Sequence, residues 1–149
     1  MPSGLNVIIV DDDPIVCEVI SETIKEFYQW GEVFAFSDPD EALIFCKNQE
    51  TGVAIFVMDV FIGDRIGFNF LDAILDKFPM AYQDAIVITG NASEDVVDIC
   101  LASDITFLLE KPVKRYALQL AVRSIVSKYV KFARRLMEDP VFAECVASF

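Results

Sequence analysis

Hydrophobic positions in this chain gather into five short runs, at 5–10, 32–36, 53–58, 85–89 and 106–109. Between the runs, apolar residues recur every three or four positions. Short uninterrupted runs read as strands buried on both faces, and the three-to-four spacing reads as amphipathic helix. Strands alternating with helices predict an α/β fold built on a parallel sheet.

The helix boundaries carry their own signals. Asp13-Pro14 supplies an N-cap acid and a proline at the first helical position. The helix that follows is expected to bury Val16, Val19, Ile20, Thr23, Ile24 and Phe27 and to stop at Gly31. A second helix opens at Asp38-Pro39-Asp40-Glu41 and should bury Ala42, Leu43, Phe45 and Cys46. A third is predicted from about Phe68 to Phe78, ending before Pro79. A fourth should run from Asn91 or Ser93 to near Ala102, and a fifth follows Lys111-Pro112 and continues to about Met137.

Composition narrows the picture. The 149 residues amount to about one domain, and 54% hydrophobic residues with 13 Phe supply a core without disulfides or structural metal. The longest apolar run, 53–58, is too short to span a membrane, and Met1-Pro2-Ser3-Gly4 carries no signal-peptide pattern. Four scattered cysteines (Cys17, Cys46, Cys100, Cys145) and the absence of histidine argue against zinc. They fit reduced thiols in a cytoplasmic protein, acting as small apolar fillers on helices.

Charge is segregated along the chain. Residues 1–110 carry 4 Lys/Arg and 21 Asp/Glu, residues 111–137 carry 8 Lys/Arg and no acid, and the last twelve carry 3 acids and no base. An acidic body joined to a basic helix points to electrostatics within the chain or toward a protein partner. A DNA-binding helix is the rival reading. It is disfavoured because the acidic body repels phosphate at longer range.

Candidate chemistry lies at the strand ends. Asp11 and Asp12 close the first run, Asp59 the third and Thr89 the fourth, while Lys111 follows the fifth. Open α/β sheets place their ligand sites at the carboxyl ends of the strands. Two like charges about 4 Å apart repel by roughly 4 kcal/mol at an effective dielectric near 20, so three carboxylates gathered there call for counter-charge. Lys111 supplies one charge, and a hard divalent cation such as Mg²⁺ suits the oxygen ligands. That combination fits phosphoryl transfer, with Asp59 as the nucleophile candidate, Thr89 as a hydroxyl donor and Lys111 as a mobile point charge. Taken singly, an acid after a strand is usually a helix cap or a solvated loop, as Asp13 is expected to be.

With these motifs in place, residues 5 to about 127 resemble the receiver domain of two-component response regulators, of the chemotaxis-regulator-like kind. The resemblance is carried by Val10-Asp11-Asp12, Met58-Asp59, Gly67 eight residues later, Ile88-Thr89-Gly90 and Lys111-Pro112. It implies a flavodoxin-like sheet of order 2-1-3-4-5, doubly wound, with a receiver over 1–127 and a helical extension over 128–149. It also implies that Asp59 accepts a phosphoryl group from a sensor histidine kinase or a histidine phosphotransfer protein. Mg²⁺ would then be held by Asp12, Asp59 and the carbonyl of Phe61, with Asp11 reached through water. The Lys111–Pro112 peptide would be cis. Phosphorylation would draw Thr89 and Lys111 inward and alter contacts with a downstream target, so the chain would be a signalling module rather than an enzyme.

Three departures from that family stand out. Gly63 replaces a proline four residues after the acceptor, which predicts a more flexible 60–66 loop. Leu108 stands where an aromatic switch residue is expected, with Phe107 beside it. Phe61 and Asn91 occupy positions that tune phosphoryl lifetime, and Phe61 is expected to shield the aspartyl phosphate.

Beyond an ordinary receiver, Leu118, Val122, Ile125, Tyr129, Phe132 and Leu136 form a heptad-like seam. One reading is a projecting helix that pairs with a second copy or another partner. The other has Leu118 to Ile125 facing the domain and a frayed end beyond. Val141, Phe142, Cys145, Val146 and Phe149 form a further apolar stripe that should dock on something. Two further alternatives are a haloacid-dehalogenase-type phosphohydrolase using Asp11 of Asp11-Asp12-Asp13, and the N-terminal receiver of a longer regulator.

Overall fold

The computed structural model describes residues 4–148. Met1–Ser3 and Phe149, the last member of the C-terminal stripe, lie outside the described residues. A five-stranded parallel sheet is formed by β1 (Asn6–Val10), β2 (Val33–Phe36), β3 (Ala54–Asp59), β6 (Ala85–Thr89) and β7 (Phe107–Glu110). Its order is β2-β1-β3-β6-β7, the expected 2-1-3-4-5 when the sheet strands are counted alone.

Alternation along each strand divides the core in two. Ile8, Val10, Phe56, Met58 and Val87 point to one face, where α2 (Pro39–Lys47), α3 (Phe68–Ala73) and α4 (Glu94–Ala102) pack. Val7, Ile9, Ile55, Val57, Ile86 and Ile88 point to the other, covered by α1 (Pro14–Lys25) and α5 (Arg115–Glu138). Strands covered on both faces need apolar residues at every position, which is why the runs were uninterrupted. Burying each such Ile or Phe contributes about 1.5–3 kcal/mol.

The caps behave as their chemistry dictates. Asp13 accepts from the Ile15 N–H at 2.9 Å, Asp38 from Asp40 at 2.9 Å, and Ser93 from Val96 at 3.3 Å. Several boundaries differ from expectation. The first helix ends at Lys25, well before Gly31, and its buried face is Cys17, Ile20, Ser21 and Ile24. The Cys17 thiol lies on that inner side, 3.2 and 3.3 Å from the carbonyls of Asp11 and Phe36, while Val19 is 56% exposed. In α2, Ala42 and Cys46 are buried as expected, but Leu43 and Phe45 are only half-buried. The third helix is shorter than predicted. Ile74 leaves helical geometry, and the segment up to Phe78 continues as turns that still bury Ile74 and Phe78.

The 60–66 segment is not an open loop. β4 (Phe61–Ile62) and β5 (Arg65–Ile66) pair antiparallel, and Gly63 turns the corner at φ 63°, a left-handed conformation that favours glycine. Three of the four cysteines are buried fillers; Cys145 is exposed. No helix among the described residues is long and apolar enough to cross a membrane.

The C-terminal seam divides in two. Leu118, Val122 and Ile125 are buried against the sheet, Tyr129 packs at the edge of that core, and Phe132 is 45% exposed. After Asp139, a last helix α6 (Pro140–Ala147) folds back on α5. Phe142 meets Phe132 edge-on at 5.8 Å and lies under the Arg135 guanidinium at 3.8 Å.

Candidate functional site

Parallel pairing carries the functional residues to one rim. Val10 is in register with Met58, Asp59 with Ile88, and Thr89 with Glu110. Asp11 and Asp59 therefore sit one step past the same rung of neighbouring strands, with Thr89 and Lys111 just beyond on the next two. The Lys111 N–H donates to the Thr89 carbonyl at 2.8 Å, tying the last two strand ends together. The Lys111–Pro112 peptide is cis.

The Lys111 ammonium bridges two acids, at 2.8 Å from Asp59 Oδ2 and 3.0 Å from Asp11 Oδ2. Partial burial alone would push its pKa down. The hydrogen bonds to Asp59 and Asp11 outweigh that and raise it above the ordinary lysine value, so the side chain stays charged. Asp11 is only 2% exposed and also accepts from the Asp13 N–H at 2.9 Å. The Asp59 side chain is 13% exposed, and its Oδ1 accepts a long bond from the Phe61 N–H at 3.3 Å. Thr89 is buried, with its hydroxyl oxygen accepting from the Asn91 N–H at 3.3 Å.

Asp12 is placed differently. It is exposed, and its Oδ2 accepts from Gly63 N–H at 3.0 Å, which ties it to the turn of the hairpin. Among the described residues, no three acids converge as a ready-made metal cluster. The candidate ligand atoms beside Asp59, carboxylates and a backbone carbonyl, are nonetheless all oxygen, and Asp59 Oδ1 is only weakly engaged. That is the donor chemistry of a hard divalent cation such as Mg²⁺.

Gly67 has a steric reason. A Cβ there would lie 2.3 Å from the carbonyl oxygen of Asp59 itself, and the Gly67 N–H donates to Val60 O at 2.6 Å. The segment after the acceptor thus folds back directly onto it. Phe61 is half-exposed on the hairpin. Leu108 is half-buried against the α2–α3–α4 core, whereas Phe107 faces the α1–α5 side. The neighbouring aromatic therefore cannot stand in for Leu108.

Sequence reasoning missed Asp84. It is wholly buried one residue before β6, where Lys128 and the Tyr129 hydroxyl each bond one of its carboxylate oxygens. An acid beside the start of a strand gave no signal, because its partners lie more than forty positions away.

The similarities of the chain agree with this geometry. A curated relative, the transcriptional regulatory protein CitT of Halalkalibacterium halodurans, is 26% identical over 129 residues, 87% of this chain and 55% of its own length. The chain thus spans about half of that relative. Among solved structures, chemotaxis protein CheY4 of Vibrio cholerae superimposes with a TM-score of 0.69 at 21% identity, over 81% of this chain and 98% of that one. The signal receiver domain of an HD-domain protein of Pseudomonas fluorescens gives a TM-score of 0.72 at 18% identity, over 91% and 96%. A CheY-like receiver domain protein of Methanospirillum hungatei gives 0.71 at 22% identity, over 87% and 98%. The family model of the response regulator receiver domain matches residues 7–123, and this signalling chain belongs to that family.

Proposed function

We propose that the chain is a Mg²⁺-dependent phosphoryl acceptor, with Asp59 receiving the group from a sensor histidine kinase or a histidine phosphotransfer protein. The observation that carries this reading is the Lys111 ammonium lying 2.8 Å from Asp59 and 3.0 Å from Asp11 at the carboxyl rim of a parallel sheet. An Asp59 carboxylate oxygen attacks phosphorus, the phosphorus–nitrogen bond of the donor histidine breaks, and the departing imidazole keeps the electron pair. The product is an acyl phosphate on Asp59. Lys111 neutralises the phosphoryl oxygens, and the Thr89 hydroxyl donates to one of them. Asp12, Asp59 and the Phe61 carbonyl, with Asp11 through water, would hold Mg²⁺, which when bound supplies further neutralising charge at the transferring group.

Asp11 is a poor nucleophile for the phosphohydrolase alternative, since it is 2% exposed and engaged by both Lys111 and Asp13. Exposed Ile15 and Val19 beside Lys111 and Pro112 give a protein phosphodonor an apolar foothold next to Asp59. The output is a population shift. Movement of Thr89 and Lys111 biases the α4–β7–α5 surface toward a downstream target, and a ten- to hundredfold change in partner affinity needs only about 1.4–2.8 kcal/mol of coupling. Leu108 follows Thr89 in place of an aromatic side chain, and Phe61 shields the acyl phosphate from water. Three buried free thiols support a cytoplasmic setting, and the net charge of −12 supports protein rather than nucleic-acid partners. Self-association uses the part of α5 beyond Ile125, because Leu118, Val122 and Ile125 are committed to the core.

Incubation with acetyl phosphate and Mg²⁺, followed by intact-mass and peptide mapping, tests the acceptor. One phosphoryl group on Asp59 in the parent and none in Asp59→Asn is expected. Equal modification of Asp59→Asn overturns the reading.

A further inference from the structure

The cations of the C-terminal half divide by partner. Lys111 holds Asp11 and Asp59, Arg115 lies 3.6 Å from Glu26, Lys128 holds Asp84, and Arg135 lies 3.8 Å from Asp139. Four make no ion pair among the described residues: Lys114, just before α5, and Arg123, Lys131 and Arg134 along it. The last three line one shallow groove with Trp30, Val126 and Val130. Trp30 is the only tryptophan of the chain and is 46% exposed, with the Arg123 guanidinium 6.0 Å from its ring. Tryptophan and arginine side by side are the residue types that dominate binding hot spots.

The chain also carries the complement of that groove. No residue of α6 is buried, Val141 is 70% exposed and Met137, just before it, 86%. Glu138, Asp139 and Glu144 make this end acidic, and the last twelve residues contain no base. Met137 and Glu138 end α5 on the same side as the groove, about two turns beyond Val130 and one beyond Arg134. The inner side of α6 already rests on Phe132 and Arg135. At about 100° per residue, Phe132 lies on the opposite side of α5 from Arg123, Val130 and Arg134, with Arg135 between them.

We propose that the Trp30–α5 groove receives α6 of a second copy, reciprocally, in a two-fold dimer. Met137 and Val141 cover Trp30, Val126 and Val130, while Glu138 and Glu144 face Arg123, Lys131 and Arg134. The two-fold repeats the contact, so a single-helix footprint is buried twice. The charge pairing makes the dimer weaken as salt rises. This inference rests on the self-association reading above and assigns it a pair of surfaces.

Charge reversal on the 149-residue chain tests it, because every substituted side chain is exposed. Sedimentation of Lys131→Glu/Arg134→Glu, and separately of Glu138→Lys/Glu144→Lys, is expected to show self-affinity reduced about tenfold or more. Mixing the two variants should restore association, since both reciprocal contacts of the mixed dimer are then complementary, one native and one with its signs exchanged. Cys145 is the one exposed thiol among the described residues, so a benzophenone maleimide placed there reports its neighbours. In a mixture of ¹⁴N and ¹⁵N protein, hybrid crosslinks from position 145 to Trp30 or to residues 123–134 are expected. A dimer that ignores both reversals, or crosslinks confined to other surfaces, overturns the assigned surfaces and leaves self-association standing. A parent that stays monomeric with and without acetyl phosphate overturns both, while phosphoryl acceptance at Asp59 is judged by its own labelling.

Discussion

Strand β6 runs between two buried acid–lysine sites that look alike and behave differently. At its carboxyl end buried Asp11 and partly buried Asp59 share the single ammonium of Lys111, with exposed Asp12 beside them on the Gly63 N–H. At its amino end Asp84 stands alone with two donors, Lys128 and Tyr129. Asp84 is 0% exposed and both of its oxygens are taken, so the amino end is closed. The carboxyl rim keeps one Asp59 oxygen under a single long bond and a surplus of negative charge. A buried acid therefore does not by itself mark a functional site. Negative charge in excess of the donors around it does.

The sharpest way to break this comparison is to remove the donors at the closed end. Ending the chain after Ser127 deletes Lys128 and Tyr129 and strands Asp84 without its counter-charge. Breaking a buried pair from one side costs about 3–5 kcal/mol, so urea unfolding should show a loss in that range. Asp84→Asn in the truncated chain should recover a large share. If truncation costs under about 1 kcal/mol, Asp84 does not depend on these partners.

Neutralising an acid at the open end should have the opposite sign. Asp12→Asn keeps an acceptor for the Gly63 N–H and removes an exposed negative charge next to the Asp11–Asp59 pair. Relief of repulsion should stabilise the fold by about 0.5–1.5 kcal/mol, while Mg²⁺ affinity and acetyl-phosphate labelling fall. Stability lost together with labelling would make the rim structural, like Asp84. The exposed Arg65–Asp40 pair at 3.1 Å offers a baseline. Arg65→Ala should leave the urea midpoint unchanged, since solvent screens that pair on every side.

The two ends were not equally legible in the sequence. Asp11, Asp12, Asp59, Thr89 and Lys111 each touch a strand run, and parallel strands bring their carboxyl ends together by topology. Gly67 was legible as a motif, and its reason, the acceptor's own carbonyl 2.3 Å from a would-be Cβ, needed coordinates. Asp84 was illegible because its partners lie on a helix at the far end of the chain. The C-terminal seam left two readings open for a related reason: a heptad spacing reports that a helix has an apolar side. It does not say that Leu118 to Ile125 spend that side on the sheet while Phe132 turns to α6. Val19 fits the helical period too, yet Cys17, Ile20, Ser21 and Ile24 take the buried face and leave it exposed.

The smallest expected effect is invisible at neutral pH and isolates the closed end. Burial, reinforced by the hydrogen bond and the charge of Asp84, raises the Tyr129 phenol well above the ordinary value. Burial likewise pushes Tyr28 up to about 12. Above pH ~10 the unfolded chain releases phenol protons that the native chain still holds. Native stability is therefore complete below about pH 10 and declines as the pH climbs from there toward the native values. Tyr129→Phe removes one of these protons from the balance, so its unfolding free energy should fall less steeply than the parent's above pH ~10. Tyr28→Phe should flatten the slope in the same way without touching the C-terminal helix. Identical slopes for Tyr129→Phe and the parent would mean that the phenol is solvated rather than clamped on Asp84, and the contrast between the two ends would lose its closed member.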